Sequence, residues 1–315
     1  MHKAAALSFA SIAIISGGLI SCGNNTDQVQ VATGSVAAES AAKTAQSYSK
    51  ARAYEAQGRS KKAAKLYDKI ASDYPMSKEA PDSRLREAQI YYETGELIDS
   101  FEKYQLFIEH YTNHSKYSEA IERQAEVANA ASTGKIKNNF LGLKSEIARS
   151  KVETMFTQVR DNAPYGKTAP IAQFRIGEMW QNDEDYNKAI QAYEDLYVKY
   201  PKHSLAPEAM YRVGDLLLKQ SQDGNRNRGN LDTAETTFTD LTLLYPNSKQ
   251  AKLAKQQLKN IAQSDISRSF SIAEFYEQKN QDKAALFYYN EVISKTKPGS
   301  EIYTRAQQRI SALKN

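Results

Sequence analysis

The feature that most constrains what this chain can fold into is a pattern that returns along it. The pattern needs a small residue where two helices touch, an aromatic three positions on, a second small residue at +12, an aromatic at +16 and a proline at +24. Ala51, Tyr54, Ala63, Tyr67 and Pro75 satisfy it. Shifted by 37, the positions hold Ala88, Tyr91, Ser100, Tyr104 and Thr112, and only the proline fails. Gly177, Trp180, Ala189, Tyr193 and Pro201 match throughout. Gly214 stands 37 after Gly177, with Ala234, Phe238 and Pro246 displaced by 8 across the polar stretch 221–230. Near the carboxyl end Ala273, Tyr276, Ala285 and Tyr289 recover the spacing, with Pro298 one position late. A weaker unit runs from Ala125 to Pro164, with Phe156 in the aromatic place and extra residues around 132–134.

Such a pattern describes an antiparallel helix pair. Small residues let two helices approach closely, and aromatics one turn away fill the space between pairs. Tyr74 and Pro75, Tyr200 and Pro201, and Tyr245 and Pro246 end the second helix of a pair, because proline cannot continue it. Small residues, aromatics and proline in this order resemble the tetratricopeptide repeat, here lengthened. The expectation is an all-α fold: a right-handed superhelical solenoid of about six helix pairs over residues 39–315, without sheet.

Composition agrees with helices packed by rings. The chain has 20 Tyr and 10 Phe against 14 Gly and 8 Pro, too few turn-formers for a sheet-rich protein. Its 42 Lys and Arg stand against 37 Asp and Glu, giving +5. These charges are interleaved, with none of the concentrated basic stripe that tracks phosphates, so nucleic acid is excluded as a partner class.

Residues 1–21 form a basic start at His2 and Lys3, an apolar stretch from Ala4 to Ile15, and a Ser-Gly-Gly break. This is a signal peptide and too interrupted to span a bilayer. Leu19, Ile20, Ser21 and Cys22 resemble the lipobox of bacterial lipoproteins. The resemblance implies that Cys22 becomes the first mature residue and carries acyl chains such as palmitate. Cys22 is also the sole cysteine, which leaves neither an internal disulfide nor a cysteine metal site. Gly23 follows, where lipoproteins retained in the inner membrane of enterobacteria carry Asp, which points to the outer membrane. Residues 22–38 then read as a flexible tether.

No catalytic constellation is legible. His110 and His114 stand four apart, but Tyr111 occupies the place where a zinc protease motif needs Glu, and the pair falls where other units end a helix. They read as turn histidines. Residues 142–144 lack a phosphate-loop glycine pattern, and Asp183, Glu184 and Asp185 read as capping and solvation in a turn. The chain is expected to be neither an enzyme nor a holder of any metal or cofactor.

Tyr48 to Tyr54 with Tyr74 and Pro75, Ala88 to Tyr92 with Phe107 to His110, and Ala273 to Tyr276 with Ala284 and Ala285 resemble BamD-type outer-membrane assembly lipoproteins. The resemblance covers residues 44 to about 120 and 255–312. It implies a lipid-anchored scaffold at the outer membrane, facing the periplasm. Its implied partners are the periplasmic domains of the barrel-assembly protein and unfolded outer-membrane proteins. The chain departs from that family at Tyr288, where members commonly carry Arg, and at Asn280, where they carry Gly. Phe174 to Gly177 and Tyr211 to Gly214 resemble instead the periplasmic cell-division coordinator of the Tol-Pal system, a family that normally has an amino-terminal coiled coil and no lipid anchor. By analogy with repeat proteins, positions one after and three before the crossing residue face the concave groove. In the first two units these are Tyr48, Arg52, Leu85 and Gln89, with Tyr92 beside them. Flat rings and planar hydrogen-bonding groups suit an extended aromatic-rich segment; the other reading is that Tyr48 and Tyr92 only pack between pairs.

Overall fold

The computed structural model describes residues 34–134, 138–140, 143–223 and 228–314. The signal peptide, Cys22 and most of the expected tether lie outside the described residues.

Consecutive helices form six pairs: α1 (Gly34–Ala56) with α2 (Ser60–Asp73), α3 (Ala80–Glu93) with α4 (Leu97–His110), α5 (Tyr117–Thr133) with α6 (Arg149–Asn162), α7 (Thr168–Asn182) with α8 (Tyr186–Lys199), α9 (Ala206–Asp223) with α10 (Arg228–Leu244), and α11 (Lys249–Gln278) with α12 (Asp282–Lys295). A single helix, α13 (Glu301–Lys314), closes the array. Each helix packs on the next in chain order, as a solenoid requires. Helix α1 begins at Gly34, ahead of the boundary expected at residue 39.

The expected absence of sheet needs one correction. Between α5 and α6 stands a short antiparallel hairpin, β1 (Asn138–Phe140) with β2 (Leu143–Ser145), pairing Phe140 with Leu143 and Asn138 with Ser145. Gly134 stops α5 in the left-handed conformation, φ 62°. Asn138 and Asn139 then follow, poor formers of a continuing helix.

The repeat register is a packing register. A methyl group on Gly177 would come within 2.5 Å of the Tyr193 ring, and one on Gly214 within 2.6 Å of the Phe238 ring. Where rings leave more room the position holds a fully buried alanine, at Ala51, Ala88 and Ala273. Four of the second-helix rings also meet a ring three residues before the crossing: Tyr48 on Tyr67 at 5.5 Å, Phe174 on Tyr193 at 5.3 Å, Tyr211 on Phe238 at 5.7 Å and Phe270 on Tyr289 at 5.3 Å between centroids. These tilted and edge-on contacts suit the ring quadrupole. In the third pair Ala125 keeps the register but is only half-buried, with Gln124, Val127 and Ala128 taking the buried face.

Two kinds of turn alternate. Turns inside a pair share a left-handed residue seven positions after the crossing: Gly58, Gly95, Glu184 and Asn280, with φ of 69°, 80°, 60° and 55°. Three of the turns between pairs carry the Tyr-Pro punctuation and a fourth keeps the tyrosine as Tyr111, and two of these tyrosines have a second task. The Tyr111 hydroxyl donates to the Pro75 carbonyl at 3.1 Å, and that of Tyr245 to the Pro201 carbonyl at 2.9 Å. The first inter-pair turn is thereby stitched to the second, and the fourth to the fifth, along one edge of the array.

The core runs without a break from α3 into the first half of α11, where Ala254 and Ile261 are its last buried members. The second half of α11 belongs to a separate cluster with α12 and α13, built on Phe270, Ala273, Tyr289 and Val292. One 30-residue helix thus joins two cores.

Candidate functional site

The first helices of the first three pairs form a cleft. Tyr48 of α1, Leu85, Arg86 and Gln89 of α3, and Lys116 and Arg123 at and in α5 line it, over the ring of Tyr104. A second concavity next to it is lined by Tyr48, Arg52, Glu55, Tyr67 and Arg86. Four of the five residues expected to face a groove, Tyr48, Arg52, Leu85 and Gln89, therefore line adjoining concave surfaces. Tyr92 does not share them: it is half-buried against the main core. Tyr48 does both things weighed for it, since it packs on Tyr67 and lines the cleft.

A recurring clasp fixes this surface. The Tyr67 hydroxyl donates to Glu55 at 2.8 Å, and Arg86 from the following first helix pairs with the same carboxylate. The arrangement returns in the fourth pair, where Tyr193 donates to Gln181 at 2.9 Å and Arg212 reaches both, each at 3.3 Å. It returns again in the sixth, where Tyr289 donates to Glu277 at 2.7 Å and Arg309 of α13 donates to Glu277 at 3.0 Å. Burial pushes the Tyr67 hydroxyl up to about 12, with the nearby Tyr48 adding to it, so the phenol remains a donor at neutral pH. The clasp links positions +4 and +16 of the register to an arginine at +35 in the first and fourth pairs and at +36 in the sixth; its polar members vary between Glu and Gln, which hid it from a search for small residues and rings.

Behind the cleft lies a buried charge cluster. Arg84 bonds Asp68 at 2.8 Å and Ser72 at 3.1 Å and also pairs with Glu87, while Lys103 sits 3.0 Å from both carboxylates. Glu87 is fully buried, and that burial raises its carboxyl above the usual range despite the two cations. At Asp68 burial also pushes upward, but the hydrogen bonds from Arg84 and Lys103 together outweigh it and leave the carboxyl low. Two cations and two anions cancel, so the cluster locks α2, α3 and α4 together without a net field.

The histidines have structural places. His110 ends α4, exposed. His114 lies in the turn beyond, where its Nδ1 accepts the Lys116 backbone N–H at 3.2 Å, and His203 does the same for Leu205 in the equivalent turn. Asp185 caps α8 by accepting the Lys188 backbone N–H at 3.2 Å. Among the described residues no group of three or more His, Cys, Asp or Glu is placed to hold a metal ion.

Comparison with known proteins places this geometry. The tetratricopeptide repeat family matches residues 48–113, the stretch that holds the cleft residues from Tyr48 to Tyr104. A second family, described as outer membrane lipoprotein (YfiO), matches residues 145–301, about half of the chain. The chain belongs to this outer membrane lipoprotein family. None of the curated proteins matches the chain. Solved structures of similar fold include the apo form of RapI, 14% identical, covering 84% of this chain and 75% of its own, with a TM-score of 0.35. A tetratricopeptide repeat protein from Parabacteroides merdae is 13% identical over 86% of this chain and 100% of its own, with a TM-score of 0.32. Pseudomonas aeruginosa PilF is 12% identical over 86% and 98%, with a TM-score of 0.31. Scores this low say nothing of function.

The family match falls on residues 145–301, so it overlaps the expected resemblance only from 255 onward. The two departures noted in the sequence both lie inside it. Asn280 adopts the left-handed turn conformation that favours glycine, and asparagine tolerates that region better than most residues. Tyr288 stacks on Tyr276, 5.7 Å between centroids and 7° from parallel, with the exposed rings of Phe287 and Phe275 on either side. No helix among the described residues is long and apolar enough to cross a membrane. Both the repeat and the lipoprotein family are of the protein-interaction type.

Proposed function

We infer that this chain is a lipid-anchored periplasmic scaffold of the machinery that assembles outer-membrane β-barrels. Its anchor is Cys22 at the outer membrane. Its partners are the periplasmic domains of the barrel-assembly protein and unfolded barrel proteins.

The observation that carries this reading is the cleft across the first three pairs. Tyr48 and Leu85 offer apolar surface above the buried ring of Tyr104, while Arg86, Gln89 and Arg123 offer planar hydrogen-bonding groups between them. An extended segment alternating aromatic and polar side chains meets both. Cross-repeat clasps hold the floor in place before a partner arrives, which lowers the ordering cost of binding. Membership of an outer membrane lipoprotein family supports the location.

A photo-crosslinking side chain placed at Gln89, which is exposed, tests the reading in intact cells. The expected adducts are a barrel-assembly protein and nascent barrel proteins, and their yield falls in the Tyr48→Ala, Arg52→Ala double variant while its cooperative unfolding is retained. Adducts with Tol-Pal or cell-wall synthesis proteins in their place would sink the proposal.

A further inference from the structure

The two edges of the array differ in chemistry. One edge is built from the inter-pair turns, tied together by Tyr111 on Pro75 and Tyr245 on Pro201. At its tips Met76 is 97% and Tyr165 100% exposed. The last turns of α8 and α10 add Val198, Leu243 and Leu244, at 69%, 71% and 64%. Among the described residues, every exposed large hydrophobic side chain except Phe275 and Phe287 lies at this edge or within two helical turns of it.

Basic residues stand between these tips. Exposed Lys78, Lys167, Lys202 and Lys249 each follow a proline of the punctuation by one to three positions. Among the described residues Lys78, Lys167 and Lys202 make no ion pair; Lys116, in the turn that lacks proline, pairs with Asp82 at 2.8 Å. The stretches 111–117, 199–205 and 244–250 contain no acidic residue, while Asp73 and Glu79 flank the first turn and Asp161 precedes the third. At the opposite edge charges are mixed, with Glu93, Glu96, Asp183 and Glu184 beside Arg59 and Lys279.

We propose that the inter-pair edge rests on an anionic lipid surface, with its lysines among the headgroups and Met76, Tyr165, Leu243 and Leu244 in the interface. These apolar side chains are presented at separate turns, with only Leu243 and Leu244 adjacent, and lack the broad desolvated core of a protein interface. A bilayer has no such requirement. It accepts separate apolar side chains of any shape, and lysine stems lie along it while their ammonium groups stay at the headgroups. Each lysine near an anionic surface strengthens attachment about fivefold at low salt. The Tyr111 bond ties the first inter-pair turn to the second and the Tyr245 bond ties the fourth to the fifth, so neighbouring tips are presented together. This goes beyond the acyl anchor: it orients the whole array, one edge down, with the clefts opening sideways along the membrane.

The test uses full, acylated protein extracted from membranes and reconstituted into phosphatidylcholine vesicles with or without phosphatidylglycerol. The native Trp180 is buried and common to all variants. Tyr165→Trp and Leu244→Trp place probes on the edge, and Gln57→Trp places one in an intra-pair turn on the opposite edge. Lipids brominated in the acyl chain are expected to quench both edge probes in phosphatidylglycerol vesicles and not the opposite one. The triple replacement of Lys167, Lys202 and Lys249 by Gln is expected to abolish that quenching. Quenching of neither edge probe, or of all three probes alike, overturns the proposal. So does an edge that stays dry while crosslinking through Lys202 recovers an acidic protein. Sedimentation of every variant with vesicles reports the acyl anchor separately, so a failed anchor and a failed edge give different results.

Discussion

At Glu184 the fold demands a left-handed backbone from a residue that resists it. The same turn position is Gly58 and Gly95 in the first two pairs, and a Cβ on Gly58 would meet nothing, so conformation alone sets the preference. A non-glycine residue in this region costs about 1–2 kcal/mol. Glu184→Gly is therefore expected to stabilise the protein by about 1 kcal/mol, read as a shift of the urea midpoint without change of slope. An unchanged or lower midpoint would show that the Glu184 side chain compensates. Gly177 is the opposite case, since a methyl there drives into the Tyr193 ring. Gly177→Ala is expected to destabilise by about 1–3 kcal/mol through overpacking, measured the same way. Tyr104 gives a pH dependence. Burial pushes its hydroxyl from 10.0 up to about 12, while Arg123 and Glu126 act in opposite senses. An unfolded tyrosine loses its proton first, so the folded state binds more protons between those values and stability falls as pH rises. The contribution is complete below 10.0 and is lost as pH rises through about 12. Melting temperatures measured across that window should fall less steeply for Tyr104→Phe than for the unaltered chain.

Among the elements α11 is the one whose role could not be read in advance. Its sequence has helical periodicity throughout, and nothing in 249–278 marks the place where one core ends and the next begins. Only the tertiary structure shows Ile261 on one side of the change and Phe270 on the other. Helix pairs were legible because Gly177, Tyr193 and Pro201 each answer to a steric demand that admits few residue types. The clasps and the charge cluster were not, because Glu55, Gln181 and Arg84 meet demands that several polar residues could meet. The hairpin was missed for another reason: it is an insertion outside the periodic register. Ser264 is exposed near the middle of α11. Ser264→Pro removes a helical hydrogen bond and clashes with the preceding turn, at about 3 kcal/mol or more. Hydrogen exchange should then show the cluster of Phe270, Tyr289 and Val292 opening before the main core. Uniform protection across both clusters would mean that the two halves communicate by another route.

For the molecule as a whole, the groove positions were legible only because repeat geometry places equivalent residues at equivalent sites. Tyr48 and Leu85 follow from the crossing residues, while Tyr92 was added by proximity in sequence and turned inward. The two long insertions share a property that the repeat register implies and the helices make plain. One separates α5 from α6 and the other α9 from α10, so both interrupt a pair and neither interrupts the junction between pairs. Adding several residues at Gln222 should therefore leave the melting temperature almost unchanged, because a longer loop costs only a few tenths of a kcal/mol. The same addition between Pro201 and Lys202 should lower it, by breaking the bond from Tyr245. An equal effect at both sites would show that the stitches are incidental. The tyrosine-to-proline bonds act as a selvedge: the fabric stays true to length along that side, while the other side is free to acquire new loops, and new contacts with them, without pulling the weave out of line.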